Sequence, residues 1–186
     1  MTKILLINGK SQHGKDQFAS ILEKKLTSGG KRVIIIHFAD LLKFYVSKYF
    51  GYKGIKDETD RAILQYVGTT IVRAHYPKYW GRAVGEFLSA CSRENAFNYA
   101  IIPDFRFKNE YEAIWDAMDD NALITTIRIE RYIDNNKLYV NPNMTYEQVH
   151  HISECELDDV NVDWIIENRG SIEDLELSAD IMLEHI

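Results

Sequence analysis

Short apolar runs alternate with amphipathic stretches along the chain, and this alternation predicts strands and helices in turn. The stretches Lys3–Ile7, Val33–Phe38, Asn98–Ile102, Ala122–Ile129 and Val162–Ile166 are predicted strands. Val33–Phe38 is apolar almost throughout, which is typical of a strand covered on both faces of a parallel sheet. Between them, apolar residues recur at helical spacing. We therefore predict one three-layer α/β domain over residues 1–186, with about five mostly parallel strands and helices on both faces.

Two details refine the helices. Gly68 lies inside a helix predicted from Glu58 to about His75, where glycine costs about 1 kcal/mol relative to alanine, so we expect something to pack closely against it. Further on, Ser153 and Glu156 have the spacing of a capping box and predict that a short helix begins there.

The segment from Tyr132 to Val149 interrupts the alternation. It is polar, and it lacks apolar periodicity. A loop of almost twenty residues in a compact domain is unusual unless it has a function, so we predict a lid over about 132–150.

A glycine-rich stretch, Gly9-Lys10-Ser11-Gln12-His13-Gly14-Lys15-Asp16, follows the first predicted strand and opens the first predicted helix. It fits the phosphate-loop pattern G-x-x-x-x-G-K, in which backbone N–H groups, the helix dipole and the lysine hold nucleotide phosphates. Asp16 stands where Ser or Thr normally follows the lysine, and its carboxylate would hold Mg²⁺ directly or through water. The alternative is an ordinary joint between strand and helix.

Other polar residues come just after predicted strands or share one side of a predicted helix. Asp40, Asp104 and Arg106 follow the second and third strands, at the edge where α/β sheets bind ligands. A helix cap is the alternative for Asp40, and a surface ion pair is the alternative for Asp104 and Arg106. Arg61, Gln65, Thr69 and Arg73 are spaced by four, so they form either an anion-binding face or a solvated one.

Composition limits the classes of function. The 186 residues are 46% hydrophobic and carry a net charge of −6. An acidic chain argues against a surface that coats nucleic acid. Cys91 and Cys155 are too few for a disulfide framework and lack metal-ligand spacing. With no signal peptide and no apolar run of membrane-spanning length, we expect a soluble cytoplasmic protein.

Several stretches together resemble the phage-type deoxynucleoside monophosphate kinases, which belong to the adenylate-kinase-like P-loop kinases. They recur in family order across nearly the whole chain, and their combination is more specific than any one of them. The matching stretches are Gly9 to Asp16, Phe38-Ala39-Asp40-x-Leu42-Lys43, Arg61-x-x-Leu64-Gln65-x-x-Gly68-Thr69, Tyr79-Trp80, Pro103-Asp104-x-Arg106, Arg131 to His151-x-Ser153-Glu154, and Ile166-x-Asn168-x-Gly170-Ser171-x-Glu173-x-Leu175.

The resemblance implies transfer of the ATP γ-phosphate to a deoxynucleoside 5′-monophosphate, with Mg²⁺. Lys15 and the loop amides would hold ATP, Arg131 would be a lid arginine, and the segment Asn168–Ser171 would border the adenine. Together, the residues and the resemblance give three sets of candidates. Those for catalysis are Lys15, Arg131, Asp104 and Arg106. Those for ATP are Gly9, Ser11, Gln12, His13, Gly14, Lys15, Asp16, Gln17, Asn168 and Gly170, with Asp16 also on the metal. Those for the acceptor are Asp40, Lys43, Arg61, Gln65, Arg73, Trp80, Asp104 and Arg106.

The chain departs from this family in two places. Ser11-Gln12-His13 replaces loop residues that are often basic, and the region between Asp40 and Arg61 is short, so the base preference stays open.

Three other functions are weighed against this one. A P-loop kinase of another acceptor, such as dephospho-coenzyme A or a modified base in DNA, stays open, as does a non-catalytic nucleotide-binding module. A GTPase switch is disfavoured, because no glycine has Asp three residues before it and N-K-x-D is absent. A homodimer is also left open.

Overall fold

The computed structural model describes residues 2–55, 57–119, 122–133 and 137–186. Over these residues, five parallel strands run in the order β2-β3-β1-β4-β6, and β5 pairs antiparallel with the last residues of β4. The strands are β1 (Thr2–Asn8), β2 (Val33–Ile35), β3 (Tyr99–Ile102), β4 (Ala122–Ile133), β5 (Lys137–Leu138) and β6 (Trp164–Asn168). The predicted, mostly parallel sheet is confirmed.

Helices cover both faces of the sheet. They are α1 (Lys15–Ser28), α2 (Ala39–Tyr49), α3 (Glu58–Gln65), α4 (Tyr79–Arg93), α5 (Lys108–Met118), α6 (Tyr146–Val149), α7 (Ile152–Cys155) and α8 (Ile172–Leu183). None of these helices is long and apolar enough to cross a membrane.

The central strand β1 divides the hydrophobic core in two. Leu5 and Ile7 pack in the cluster that α1 and α8 cover, whereas Ile4 and Leu6 pack in the cluster that α4 and α5 cover. Successive side chains of a strand point to opposite faces, so a strand buried on both faces must be apolar at every position. This packing explains the apolar runs and holds the carboxyl ends of β1, β3 and β4 at one edge of the sheet.

The helix predicted from Glu58 to about His75 changes type in its second half. It begins as α3 and continues as a π-helix over Tyr66–Arg73, a form that occurs often at functional sites. A Cβ atom at Gly68 would lie 2.6 Å from Cδ2 of Leu42. The expectation of close packing at Gly68 is therefore confirmed, and the partner is α2.

The predicted lid contains more regular structure than its sequence indicates. The strand expected to end at Ile129 continues to Ile133, and β5 and α6 follow, so the described part of this segment is not a loop throughout. Its function as a lid stays a prediction. Residues 134–136 of the predicted lid lie outside the described part of the chain. The hydrogen bonds of β5 are made across the strand pair, and local periodicity does not reveal such pairing.

The capping box expected at Ser153 is not formed. His151 caps α7 instead, and its Nδ1 atom accepts a hydrogen bond from the Ser153 N–H over 3.2 Å. Ser153 lies inside the helix, so its hydroxyl cannot take the capping position.

Candidate active site

The loop between β1 and α1 has a backbone that requires glycine. Gly9 and Gly14 have φ angles of 145° and 99°, which L side chains rarely adopt. A Cβ atom at Gly9 would lie 2.5 Å from the main-chain oxygen of Ile129. The loop thus has the strand, glycines and helix N-terminus that bind phosphate in the G-x-x-x-x-G-K motif.

Lys15 is the charged centre of the loop. Its Nζ donates a hydrogen bond of 2.8 Å to the main-chain oxygen of Lys10. Burial, and then the positive charge of Arg106, lower the pKa of Lys15 to about 8, while nearby carboxylates oppose the shift. A phosphate bound beside Lys15 would raise this pKa again, because an opposite charge favours the ammonium.

The side chain of His13 is turned into the protein, so a contact of His13 with ATP through its loop amide stays a prediction. The residue is 2% exposed, its Nε2 lies 2.9 Å from the Tyr139 oxygen, and its Nδ1 lies 3.3 Å from the Arg131 nitrogen. Burial lowers the pKa of His13. The ring therefore joins the loop to β4 and the lid, because two ring nitrogens can satisfy buried backbone groups on either side.

The lid packs directly on the phosphate loop. The Tyr139 hydroxyl is 2.6 Å from Oε1 of Gln12, and Nδ2 of Asn141 donates to Oγ of Ser11 over 3.0 Å. Arg131 donates to the main-chain oxygen of Gln12 over 3.2 Å, and its guanidinium lies 4.4 Å from the centroid of the Tyr139 ring. Arg131 thus lies beside the phosphate loop, and its role as a lid arginine stays a prediction; it does not line the cavity described next.

A cavity of about 530 Å³ extends from the phosphate loop to α3 and the π-helix. Its volume lies within the range of small-molecule sites. The predicted residues that line it are Ser11, Gln12, Lys15, Asp16, Lys43, Arg61, Gln65, Arg73, Trp80, Asp104 and Arg106. The fold therefore brings seven of the eight acceptor candidates into one space with four of the ten ATP candidates.

A buried carboxylate organises the acceptor end of this cavity. Glu110 is 1% exposed and forms an ion pair with Arg73, whose guanidinium lies 3.9 Å from the centroid of the Phe107 ring. The other oxygen of Glu110 accepts from the N–H groups of Arg106 and Phe107, over 2.8 and 3.0 Å. Burial raises the pKa of Glu110 to about 7, against the pull of Arg73. One carboxylate thus fixes two arginine-bearing segments at the cavity.

The two aspartates after β2 and β3 serve the start of α2. Asp104 accepts hydrogen bonds from the N–H groups of Phe38 and Ala39, over 2.9 and 3.0 Å. Asp40 accepts from the His37 N–H over 2.9 Å and does not line the cavity. The ligand-binding role predicted for Asp40 is corrected to a local hydrogen bond: Asp40 lies in the first turn of α2 and bonds the backbone just before the helix. The oxygens of Asp104 are already used by amides at the helix N-terminus.

Trp80 does not offer the open ring face expected of a stacking residue. Its side chain packs with Leu42, Val46 and Val67, the residue is 2% exposed, and Nε1 donates to the Gly68 oxygen over 3.1 Å. A ring enclosed on both faces cannot stack on a base, so Trp80 supports the cavity wall.

The residues predicted to border the adenine brace the loop from behind. Nδ2 of Asn168 donates to the His13 oxygen over 2.9 Å, and Oδ1 accepts from the Gly170 N–H over 3.1 Å. A Cβ atom at Gly14 would lie 2.7 Å from that same Nδ2 atom. Gln17 is exposed in the first turn of α1. The contact of these residues with adenine stays a prediction.

Asp16 is the carboxylate that fits a magnesium ion shared with phosphates. It is exposed, lies in the first turn of α1 beside Lys15, and lines the cavity. Among the described residues, no group of three or more His, Cys, Asp or Glu side chains could hold a metal ion. A single carboxylate beside the phosphate loop suits Mg²⁺, which is commonly bound by one or two carboxylates together with substrate phosphates.

The sequence analysis missed two acidic residues at this site. Glu110 was not singled out, and Glu154 appeared only as part of a resemblance. Glu154 forms an ion pair with Arg106, and its Oε2 accepts from the Ser11 N–H over 3.2 Å. Their partners lie far away in sequence, so no local spacing could have indicated them.

Comparisons with known proteins agree on the fold. No protein-family model and no curated protein matches the chain. A sugar kinase from Janibacter sp. HTCC2649 is 13% identical, with a TM-score of 0.58 over 99% of this chain and 95% of that chain. The tunicamycin resistance protein of Deinococcus radiodurans is 13% identical, with a TM-score of 0.54 over 98% of this chain and 96% of that one.

A third similar structure is the Mycobacterium tuberculosis APS kinase in complex with AMPPNP and APS. It is 12% identical, with a TM-score of 0.50, over 98% of each chain. At these identities the likeness concerns the fold alone. Together with the phosphate loop, it defines the class: the chain has the fold of the P-loop kinases.

Proposed function

We propose that this protein is a kinase that transfers the γ-phosphate of ATP to a nucleoside 5′-monophosphate, with a deoxynucleotide favoured by the family resemblance. One observation carries the proposal. The cavity that Lys15 lines at the phosphate loop is also lined by Arg61, Arg73 and Arg106. Guanidinium groups suit a second phosphate, because their paired N–H donors match its oxygens.

The two ends of the cavity take different parts of this reaction. Lys15 and the loop amides hold the phosphates of ATP, and Asn168 and Gly170 border its adenine. Arg106, whose backbone is fixed by Glu110, lies between the loop and the acceptor arginines. Phosphoryl transfer needs positioning and charge neutralisation more than a covalent nucleophile, so these groups suffice for the chemistry.

Asp16 would hold Mg²⁺ against the ATP phosphates. The ion, when bound, supplies positive charge to the phosphoryl oxygens during transfer. Lys15 and Arg106 add charge from the protein side.

The state of the carboxylates favours a phosphate over a hydroxyl as acceptor. A hydroxyl acceptor, such as a sugar, calls for a general base within hydrogen-bond reach. Of the acidic residues lining the cavity, Asp104 is bonded to two amides, and Glu110 and Glu154 are paired with arginines. Asp16 remains, and it lies on the metal side. A phosphate acceptor needs no such base, which supports a monophosphate.

A screen of ADP release from ATP tests the proposal. Purified protein would be assayed with each common deoxy- and ribonucleoside monophosphate, and with dephospho-coenzyme A and a simple sugar as other acceptors. We expect release to depend on a nucleoside monophosphate and to fall at least about 100-fold in a folded Lys15→Ala variant, since preorganised charge on a transferred phosphate contributes about 3 kcal/mol or more.

The outcomes separate the candidate functions. Release that depends only on a non-nucleotide acceptor would replace the monophosphate with that acceptor. ATP binding with no acceptor-dependent release would favour a non-catalytic module. Turnover that survives Lys15→Ala would reject the P-loop kinase assignment.

A further inference from the structure

The carboxylate of Glu154 lies on the phosphate loop itself. Glu154 belongs to α7, and its side chain is 9% exposed. Its Oε2 accepts from the Ser11 N–H over 3.2 Å, and its Oε1 is paired with Nη1 of Arg106. A buried anion thus touches a loop amide and an arginine at once.

These partners are the groups that bind phosphoryl oxygens in such loops. Backbone N–H groups of the loop and a guanidinium both donate to phosphate, and Glu154 now uses one of each. Its negative charge also acts on Lys15, where it opposes the lowering of the lysine pKa. A carboxylate with these three neighbours resembles a bound phosphate in charge and in hydrogen bonding.

A phosphate on the same donors would be incompatible with Glu154 in this position. The Ser11 N–H has one hydrogen, and two anions within hydrogen-bond distance of each other repel strongly when buried. Arg106 can change partners without moving its backbone, because the Arg106 N–H is fixed to Glu110 over 2.8 Å.

Resting on the proposed function, we propose that Glu154 is an internal competitor for the phosphoryl site, and that a phosphate bound on the loop displaces it. Displacement transfers Arg106 from Glu154 to the substrate. It also weakens the hold on α7, because the Nη1 atom of Arg106 that leaves Glu154 also donates to the main-chain oxygen of Ser153 over 2.9 Å. The bond from Lys10 to the main-chain oxygen of Glu154 does not depend on the carboxylate. Arrival of the phosphate and loosening of α7 are thus one event.

The first test compares the affinity for inorganic tripolyphosphate between the wild-type protein and Glu154→Gln, measured by calorimetry without acceptor. Glutamine keeps the shape of the side chain and removes its charge. We expect tripolyphosphate to bind about tenfold more tightly to the variant, since a hydrogen bond to a charged group contributes roughly that factor or more.

Asp159→Asn is the matched control. Asp159 is exposed and lies five residues along the chain from Glu154, so its variant makes the same change in net charge. We expect its affinity for tripolyphosphate to stay within about twofold of wild type, because exposed charges are screened by salt. Equal or weaker binding by Glu154→Gln, or an equal gain in the control, would overturn the proposal and leave a purely structural ion pair.

Hydrogen exchange on the wild-type protein decides the question if Glu154→Gln does not fold. We expect the amides of residues 152–158 to exchange faster with saturating tripolyphosphate than without it. Unchanged or slower exchange would contradict displacement.

This test is separable from the test of the proposed function. Tripolyphosphate reports on the loop alone, so a gain in Glu154→Gln without any monophosphate turnover would uphold displacement and reject the acceptor. Monophosphate turnover without tighter tripolyphosphate binding by Glu154→Gln would uphold the proposed acceptor and reject displacement.

Discussion

Glu110 is a carboxylate buried beneath the acceptor end of the cavity, with Arg73 on one oxygen and two backbone N–H groups on the other. Desolvation acts against its charge more strongly than these partners favour it, and the pKa rises to about 7 from 4.5. Between these values the folded protein binds more protons at this residue than the unfolded chain does. The stability that Glu110 contributes is therefore complete below about pH 4.5 and is lost as the pH rises towards 7.

The loss of stability with rising pH leads to a prediction for Glu110→Gln. We expect the free energy of unfolding of the wild type, minus that of the variant, to fall by up to about 3 kcal/mol between pH 4.5 and pH 7. Denaturant unfolding at several pH values measures this difference. The exposed residue Glu94 supplies the control, and Glu94→Gln should show a flat difference. A flat or rising difference for Glu110→Gln would mean that Arg73 keeps the carboxylate charged throughout.

Asp16 is the residue whose substitution tests the metal. We expect Asp16→Asn to raise the Mg²⁺ concentration needed for half-maximal rate, with little change in stability, because Asp16 is exposed. Asp16→Ser, which restores the residue common in such loops, should be less damaging than Asp16→Ala. Rates measured across a Mg²⁺ titration decide, and equal losses in all three variants with unchanged Mg²⁺ dependence would argue against coordination.

Among the elements, the lid is held to the phosphate loop by side chains from both. Asn141 is 3% exposed and bonds to Ser11, while Tyr139 bonds to Gln12. These contacts give the segment a defined conformation, yet α6 and β5 are short and mostly exposed. Short exposed elements are expected to open locally with a low free energy.

We therefore predict that amides of residues 139–149 exchange fast in the protein alone and slowly with a bisubstrate analogue that joins adenosine to an acceptor nucleoside through phosphates. Closure over both nucleotides would exclude water from these amides. Mass spectrometry of the exchange measures this, with α8 as an internal reference. Slow exchange before the analogue is added would make the segment a fixed wall.

The helix packing around Trp80 predicts that its substitution lowers stability and does not change base preference. Because the ring is enclosed by α2 and the π-helix, Trp80→Ala should destabilise the protein by about 3–5 kcal/mol through the cavity it leaves. It should leave the ratios of kcat/KM between bases unchanged. Gln65 lines the candidate active-site cavity, and Gln65→Ala should alter the ratios of kcat/KM between bases. The opposite pattern in stability and kinetics would restore Trp80 as a base contact.

On the scale of the whole molecule, the cavity is assembled from segments far apart in sequence. The phosphate loop supplies one end, and α3, the π-helix and the turn after β3 supply the other. An arginine at the acceptor end should therefore affect the acceptor alone. Three statements about the whole protein stay predictions. They are its cytoplasmic location, the absence of a nucleic-acid partner and the formation of a homodimer.

Arg61→Ala tests that separation. Arg61 lines the acceptor end, and its hydrogen bond to the Asn143 oxygen is long at 3.4 Å. We expect KM to rise about tenfold for every monophosphate, and KM for ATP to change little, since the loss of a charged hydrogen bond to phosphate contributes about that factor. Arg93→Ala, at an exposed site on α4, is the control. An equal rise of KM for ATP would place Arg61 with the donor nucleotide.

The layers of the fold and the position of the loop were determined by the sequence alone. Burial on both faces requires apolar strands, and the turn at Gly9 requires glycine, so both leave a mark in consecutive residues. The same holds for Lys15, which follows Gly14 directly. Such features are local, and periodicity and motif reveal them.

Only the tertiary structure decided what the polar residues around the loop do. Asp104 and Asp40 had the sequence positions of ligand-binding groups, but the N-terminus of α2 takes their oxygens. His13 and Trp80 were turned inward by partners that lie far along the chain, and Glu110 and Glu154 were brought to the cavity the same way. A polar side chain binds whichever buried partner the fold presents, and that partner is set by packing between distant segments, which no local spacing encodes.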